Sequence, residues 1–126
     1  MNFTENKSIY LQITEFITEQ ILLKKWQNEE KIPSVRDLAV ELQVNPNTVM
    51  RAYDFLQQQG IIYNRRGIGN HVSSDASERI LAERKEKFLQ SELPLIFKNM
   101  ILLGIGLDEL ENRFKNFQMK IENSIK

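Results

Sequence analysis

The stretch Val44-Asn45-Pro46-Asn47-Thr48-Val49-Met50-Arg51-Ala52-Tyr53 carries a dense set of helix-start signals. Asparagine is a good N-cap because its side-chain oxygen accepts from the unpaired amides of the first turn. A proline one residue later lacks a donor that the first turn leaves unused in any case. Val44 before the cap and Val49 at the fourth helical position are spaced to close a hydrophobic staple. Val49, Ala52, Tyr53 and Leu56 then make an inner stripe, and Gly60 stands where a left-handed residue ends a helix. With that stripe turned inward, Asn47, Thr48, Met50, Arg51 and Asp54 are left facing out.

Toward the N-terminus, only Gln43 to Asn45 separate this helix from a shorter one that Pro33 and Ser34 open. Ser34 is a second good N-cap, Asp37 sits at the third helical position, and Leu38, Ala39 and Leu42 form the buried face. Two short helices joined by so tight a turn cross steeply, which is the helix-turn-helix arrangement. Further upstream, Ile9, Ile13, Phe16, Ile17 and Ile21 recur at three- and four-residue spacing and predict an amphipathic helix from Ser8 to Lys24, ended by the polar stretch Gln27 to Lys31.

Toward the C-terminus the period changes. Ile61-Ile62-Tyr63 is too short for a helix and rich in strand formers. Arg65-Arg66-Gly67-Ile68-Gly69-Asn70 reads as a turn, and His71-Val72-Ser73 as the returning strand. A hairpin placed after the second helix of a helix-turn-helix is a wing. Beyond residue 74 two apolar series follow: Leu89, Leu93, Ile96, Met100 and Leu103, then Leu107, Leu110, Phe114, Phe117 and Ile121. They break at Gly104-Ile105-Gly106, with Asp108 and Glu109 where a helix dipole favours acids. The pattern predicts a helical hairpin with one continuous seam, kinked or reset at Pro94. The expected fold is therefore mainly α with a small β-hairpin: a winged helix-turn-helix over residues 1–74 and a helical tail over 75–126.

Composition narrows the function. The 126 residues hold no cysteine and one histidine, His71, so thiolate metal sites are excluded and no metal or cofactor is expected. The start MNFTENKS lacks the order of a signal peptide, and no apolar run reaches the ~18 residues of a membrane span. A cytoplasmic protein with no membrane partner is the expectation. Formal net charge is zero, with eight basic and eight acidic residues up to Ser74 and nine of each beyond it. A nucleic-acid-binding surface must then be a local stripe, and Gln43 to Ser74 is the one biased stretch, with Arg51, Arg65 and Arg66 against Asp54. No nucleophile-and-base constellation or phosphate-cradling loop stands out, so no enzyme activity is expected.

In a helix-turn-helix the start of the second helix enters the major groove. There Asn pairs with adenine, Arg with guanine or phosphate, and Thr with phosphate or a thymine methyl. Arg36 lies in the first turn of its helix, against the macrodipole; it reaches either a DNA phosphate or base edge, or a surface ion pair with Asp37 or Glu41. Arg65 and Arg66 join two charges to backbone that Gly67 and Gly69 leave open to close approach, which suits phosphate or the minor groove as well as an ordinary turn. His71 reads as a packing residue or a phosphate contact.

The runs Ile9-Tyr10-Leu11-Gln12-Ile13, Ile32-Pro33-Ser34-Val35-Arg36-Asp37-Leu38-Ala39, Val44 to Tyr53, and Arg65-Arg66-Gly67-Ile68-Gly69 together resemble the GntR family of bacterial transcription regulators. The resemblance implies a winged helix that binds a palindromic operator in double-stranded DNA as a homodimer. DNA contacts would fall on Ser34 and Arg36, on Asn45, Asn47, Thr48 and Arg51, and on Arg65, Arg66, Gly67, Gly69 and Asn70. Met50 replaces an arginine that reads a base in some relatives, and Arg51 either touches phosphate or braces the fold. Two departures stand out: Lys25 and Glu30 where the first loop usually carries glycines, and Asn70-His71-Val72 where the wing usually ends Thr-Phe-Val. The short tail resembles that of the YtrA-like subfamily, implying dimerisation through the Leu89–Ile121 seam and repression of a transporter-type operon including the chain's own gene. A small-molecule effector would act on dimer geometry. The rival readings are a winged helix used as a protein-interaction module, which zero net charge favours, and a small-molecule sensor with its site at the dimer interface.

Overall fold

The computed structural model describes residues 8–125, so the opening stretch read for targeting signals, MNFTENK, lies outside the described residues. Three helices come first: α1 (Ile9–Leu22), α2 (Val35–Leu42) and α3 (Pro46–Gln58). An antiparallel hairpin follows, β1 (Ile62–Arg65) and β2 (Gly69–Val72), and then α4 (Ala76–Lys87). A π-helical turn at Phe88–Glu92 leads into α5 (Leu93–Leu103) and α6 (Leu107–Ile125). The chain divides into two compact units after Arg84.

The first unit is a winged helix-turn-helix. Its core draws Ile13, Ile17 and Ile21 from α1, Leu38 from α2, and Val49, Ala52, Tyr53 and Leu56 from α3, all essentially without solvent contact. Ile62 and Val72 close the base of the wing. The caps are those the sequence signals: Ser34 Oγ accepts from the Asp37 amide at 3.1 Å, and Asn45 Oδ1 from the Asn47 amide at 2.8 Å. Gly60 follows α3 at φ 75°, and the Ile61 amide returns to the Leu56 carbonyl, which satisfies one of the last helical acceptors. Ile9 departs from the expected stripe and is about half exposed at the start of α1.

Left-handed backbone falls at Lys24, Glu29 and Gln43. In the first loop, Lys24 and Glu29 lie one residue before Lys25 and Glu30, which replace the glycines usual in the family that the sequence resembles. Gln43 (φ 57°, exposed) makes the turn between α2 and α3, a conformation in which a Cβ costs energy. Gln43→Gly is expected to stabilise the protein by about 0.5–1 kcal/mol, net of the glycine's extra unfolded-state entropy. Urea denaturation checks this through a higher midpoint at unchanged slope.

Tyr53 joins α3 to the segment that leads into α2. It is almost completely buried, and its hydroxyl donates to the Pro33 carbonyl at 2.6 Å. Burial first, then the charges of Glu41 and Asp37, push the phenol well above the ordinary tyrosine range. Tyr53→Phe leaves that carbonyl without its donor and is expected to cost about 1–2 kcal/mol. Because the folded state holds this proton more tightly than the unfolded chain, its contribution is complete below the free tyrosine value of about 10 and declines as pH rises above it. The difference between wild type and Tyr53→Phe, measured by denaturation across pH 8–11, is expected to shrink at the alkaline end.

α4 has no counterpart in the expected pattern. Ala76 and Ile80 are buried with the first unit's core, and Arg84 donates to Thr18 Oγ1 of α1 at 2.8 Å. The first unit therefore runs past Ser74, the expected boundary, to Arg84.

In the second unit, Pro94 resets the helix as expected: it occupies the first turn of α5, and the π-helical turn absorbs the break before it. Gly104, at φ 69°, ends α5, and Asp108 and Glu109 fall in the first turn of α6. The apolar seam of the hairpin lies open within the subunit. Leu103, Leu107, Phe114 and Phe117 are more than half exposed, Leu89, Ile96 and Ile121 somewhat less so, and Leu93 and Leu110 are half-buried. Of the ten seam residues only Met100 is buried. Instead, an open groove of about 990 Å³ lies between Phe88, Leu93 and Ile96 on one side and Leu107, Leu110, Phe114 and Phe117 on the other. α5 is apolar nearly all round, with Leu95, Ile101 and Leu102 also exposed. Helices of that composition normally lie inside a structure.

Candidate nucleic-acid interface

The start of α3 meets the start of α1. Arg51, one turn into α3, lays its guanidinium over the Tyr10 ring at 3.9 Å, and Phe55 meets the same ring edge-on. The cation–π contact holds a long side chain that would otherwise sample many rotamers. Arg51, Asn47 and Thr48 share an open cleft of about 390 Å³ with Ser8, Ile9 and Tyr10. Ser8 is the N-cap of α1, and its hydroxyl makes no capping bond. A fixed cation, amide and hydroxyl donors, and the amides of a helix start together suit a phosphodiester. Tyr10 and Ser8 had no local signal tying them to this site, because their partners lie far along the chain.

Arg36 projects from the first turn of α2. It is exposed and makes no ion pair among the described residues, so neither Asp37 nor Glu41 neutralises it. Ser34 and Asn45 use their acceptor oxygens as helix caps. The Ser34 hydroxyl hydrogen and the Asn45 amide donors remain for a ligand.

The wing pairs Ile62 with Val72, Tyr63 with His71, Asn64 with Asn70 and Arg65 with Gly69. Its tip closes by a bond from the Ile68 amide to the Arg65 carbonyl at 2.8 Å, and Gly67 at φ 78° supplies the left-handed step. Arg65 and Arg66 are exposed there. Gly69 is approached closely: a Cβ at that position would stand 3.1 Å from Lys31 Cε. The absent side chain leaves room for the Lys31 stem and so adds a third cation to the wing. Lys31 was not singled out in the sequence; its bridge to His71 is a non-local feature. The segment before α2 runs along β2, with the Ile32 amide on the Asn70 carbonyl and the Val72 amide on the Glu30 carbonyl.

His71 is a packing residue: it is buried, stacks on Tyr63 at 5.5 Å, and holds Nδ1 3.0 Å from the Gly69 carbonyl oxygen. Tyr63 in turn donates to Glu29 Oε2 at 2.6 Å, and that hydrogen bond raises the Tyr63 pKa. The Asn70 side-chain oxygen accepts from Gln57 Nε2 at 2.8 Å and from Asn64 Nδ2 at 3.4 Å. The structure thus brings Asn47, Thr48 and Arg51 into one cleft. It places Arg65, Arg66, Gly67 and Gly69 at the wing, and it engages Asn70 with α3. Among the described residues there is no cluster of metal-ligating side chains and no helix long and apolar enough to cross a membrane.

The model of the bacterial regulatory proteins of the gntR family matches residues 9–72, the three helices and the wing just described. The chain belongs to the GntR family. A GntR-family transcriptional regulator from Bacteroides thetaiotaomicron has 45% identity and a TM-score of 0.81 over 90% of this chain and 98% of its own. The HTH-type transcriptional repressor YtrA of Bacillus subtilis is 32% identical over 94% of this chain and 90% of its length. The AraR DNA-binding domain, solved in complex with operator ORX1, has 28% identity and a TM-score of 0.51 over 58% of this chain and 89% of its own. This GntR-family chain is accordingly a transcription regulator and not an enzyme, and the agreement with YtrA extends through the tail.

Proposed function

We propose that the chain is a dimeric repressor that recognises a palindromic operator. The observation that carries this reading is the cleft at the start of α3, where Asn47, Thr48 and a ring-anchored Arg51 converge on the first turn of α1. Arg51 thereby braces the fold through Tyr10 and offers its charge to a phosphate. Asn47 and Thr48, with Asn45 at the cap, reach base edges or phosphates in the major groove. Arg36 and Ser34 take phosphate from the start of α2. Arg65 and Arg66 take phosphate or the minor groove, with Gly67 and Gly69 allowing the backbone to approach. The complex of the related AraR domain with its operator supports DNA as the ligand class, and the repressor YtrA supports repression as the outcome.

The tail, from Lys85 on, supplies the dimer. Its apolar groove, with two phenylalanines more than half exposed, is larger and more continuous than scattered surface apolar residues. A second copy of the same helices covers it by the self-complementary symmetry of a twofold interface. Two recognition helices would then meet half-sites about one helical turn, ~34–36 Å, apart. An effector acting on this dimer would bias the spacing of the half-site readers. Following the resemblance of the tail to YtrA-like regulators, the target is a transporter-type operon that includes the chain's own gene.

Selection of duplexes from a random-sequence pool tests the reading. The expected product is an inverted repeat with half-site centres about one turn apart. Enrichment of no sequence, or of a single unrepeated site, contradicts it.

A further inference from the structure

One residue bonds to the segment before α2, to the last turn of α3 and to β1. Asn70 opens the returning strand of the wing. Its carbonyl oxygen takes the Ile32 amide at 2.9 Å, two residues before the Ser34 cap of α2. Its side-chain oxygen takes Gln57 Nε2 from the last turn of α3 at 2.8 Å and Asn64 Nδ2 from β1 at 3.4 Å. Among the described residues the Gln57–Asn70 bond is the side-chain hydrogen bond between α3 and the wing, and it spans the two elements whose relative angle decides whether the wing arginines and the Arg51 cleft meet one duplex together.

Resting on the DNA-binding reading above, we infer that Asn70 is a positioning residue: it fixes the wing against α3 through Gln57, and its effect on DNA is delivered by Arg65 and Arg66. Three observations carry this. Asn70 is half-buried, in contrast to the exposed Asn64, Arg65 and Arg66 before it. Its single side-chain acceptor is shared by two donors, which orients the amide and leaves only its own NH2 for any other partner. At its base the wing packs through Ile62 and Val72 and bonds by its backbone to residues 29–32. Those backbone bonds do not join β2 to α3, and apolar packing is non-directional, so the oriented amide contact supplies the directional link between β2 and α3 that this packing lacks. An exposed hydrogen bond of this kind adds little to global stability, but an angular error at the hairpin base grows toward its tip, where the charges sit.

The test is a set of titrations into a duplex that the wild-type protein has selected from a random pool. Asn70→Ala and Gln57→Ala are each expected to weaken binding by roughly three- to tenfold, with the double variant no weaker than either single one. In an Arg65→Ala/Arg66→Ala background the Asn70→Ala loss is expected to disappear, while melting temperatures stay close to the parent's. Gln57→Glu with Asn70→Thr, which again places a donor against an acceptor, is expected to recover most of the affinity. A loss from Asn70→Ala that persists without the wing arginines, or that Gln57→Ala does not reproduce, overturns the proposal in favour of direct contact by Asn70. Full affinity in both single variants overturns it as well. If wild-type protein selects no duplex, the DNA-binding reading itself has failed. The link is then read from amide hydrogen exchange of the wing, where unchanged protection in Gln57→Ala also overturns it.

Discussion

Phe114→Asp is expected to leave the protein monomeric and to weaken operator binding by a hundredfold or more. Phe114 lines the tail groove with about 60% of its surface exposed and lies outside the first unit's core, so most of its apolar surface is free for a second copy to cover. In the proposed dimer the same position is covered by the second copy, and a carboxylate there would lose its hydration without a partner, which costs several kcal/mol. Losing the dimer uncouples the two half-sites. Binding of the second reader then no longer benefits from the effective concentration set by the first, a factor on the order of 10²–10⁴. Light scattering and operator titration check both parts. The melting behaviour of the first unit, whose core includes no residue of α5 or α6, should be unchanged. A variant that remains dimeric shows that the groove is not the interface.

Arg36→Ala is expected to lower operator affinity by roughly ten- to a hundredfold with little change in melting temperature. The arginine is placed against the dipole of α2, is exposed, and has no ion-pair partner among the described residues. Each of these makes it neutral or slightly unfavourable for stability. A charged hydrogen bond to phosphate or to a guanine edge accounts for a loss on the order of 1.5–3 kcal/mol when it is removed. A marked fall in melting temperature would show instead that Arg36 braces the fold.

These two residues also mark what the sequence made legible. The caps at Ser34 and Asn45, the Gly60 stop and the i, i+3, i+4 apolar spacing are local signals, so the helix-turn-helix and the wing could be read from neighbours along the chain. α4 could not. Ala76 and Ile80 are its only buried residues, a single i, i+4 pair in an otherwise polar helix, and its anchoring bond from Arg84 to Thr18 joins distant positions. The same distance hid Tyr10 beneath Arg51, Lys31 beside Gly69, and Gln57 on Asn70. The tail shows a different limit. Periodicity placed both helices and reset the first at Pro94, but it records only which residues share a face. It does not record whether that face closes on its own chain, and here the seam is an open groove. In the first loop the left-handed residues, Lys24 and Glu29, each stand one position before the sites where the resemblance places glycines, because only backbone dihedral angles locate a left-handed step.

Salt dependence tests most directly whether the cleft and wing bind DNA. Affinity for a selected duplex, measured as ionic strength is raised, reports how many phosphates the protein neutralises, with a slope of about −0.9 per phosphate. Arg36, Arg51, Arg65 and Arg66 from each of two subunits predict a steep fall, and Arg65→Ala/Arg66→Ala predicts a visibly shallower one. Binding that is absent, or that is indifferent to salt, would contradict the account.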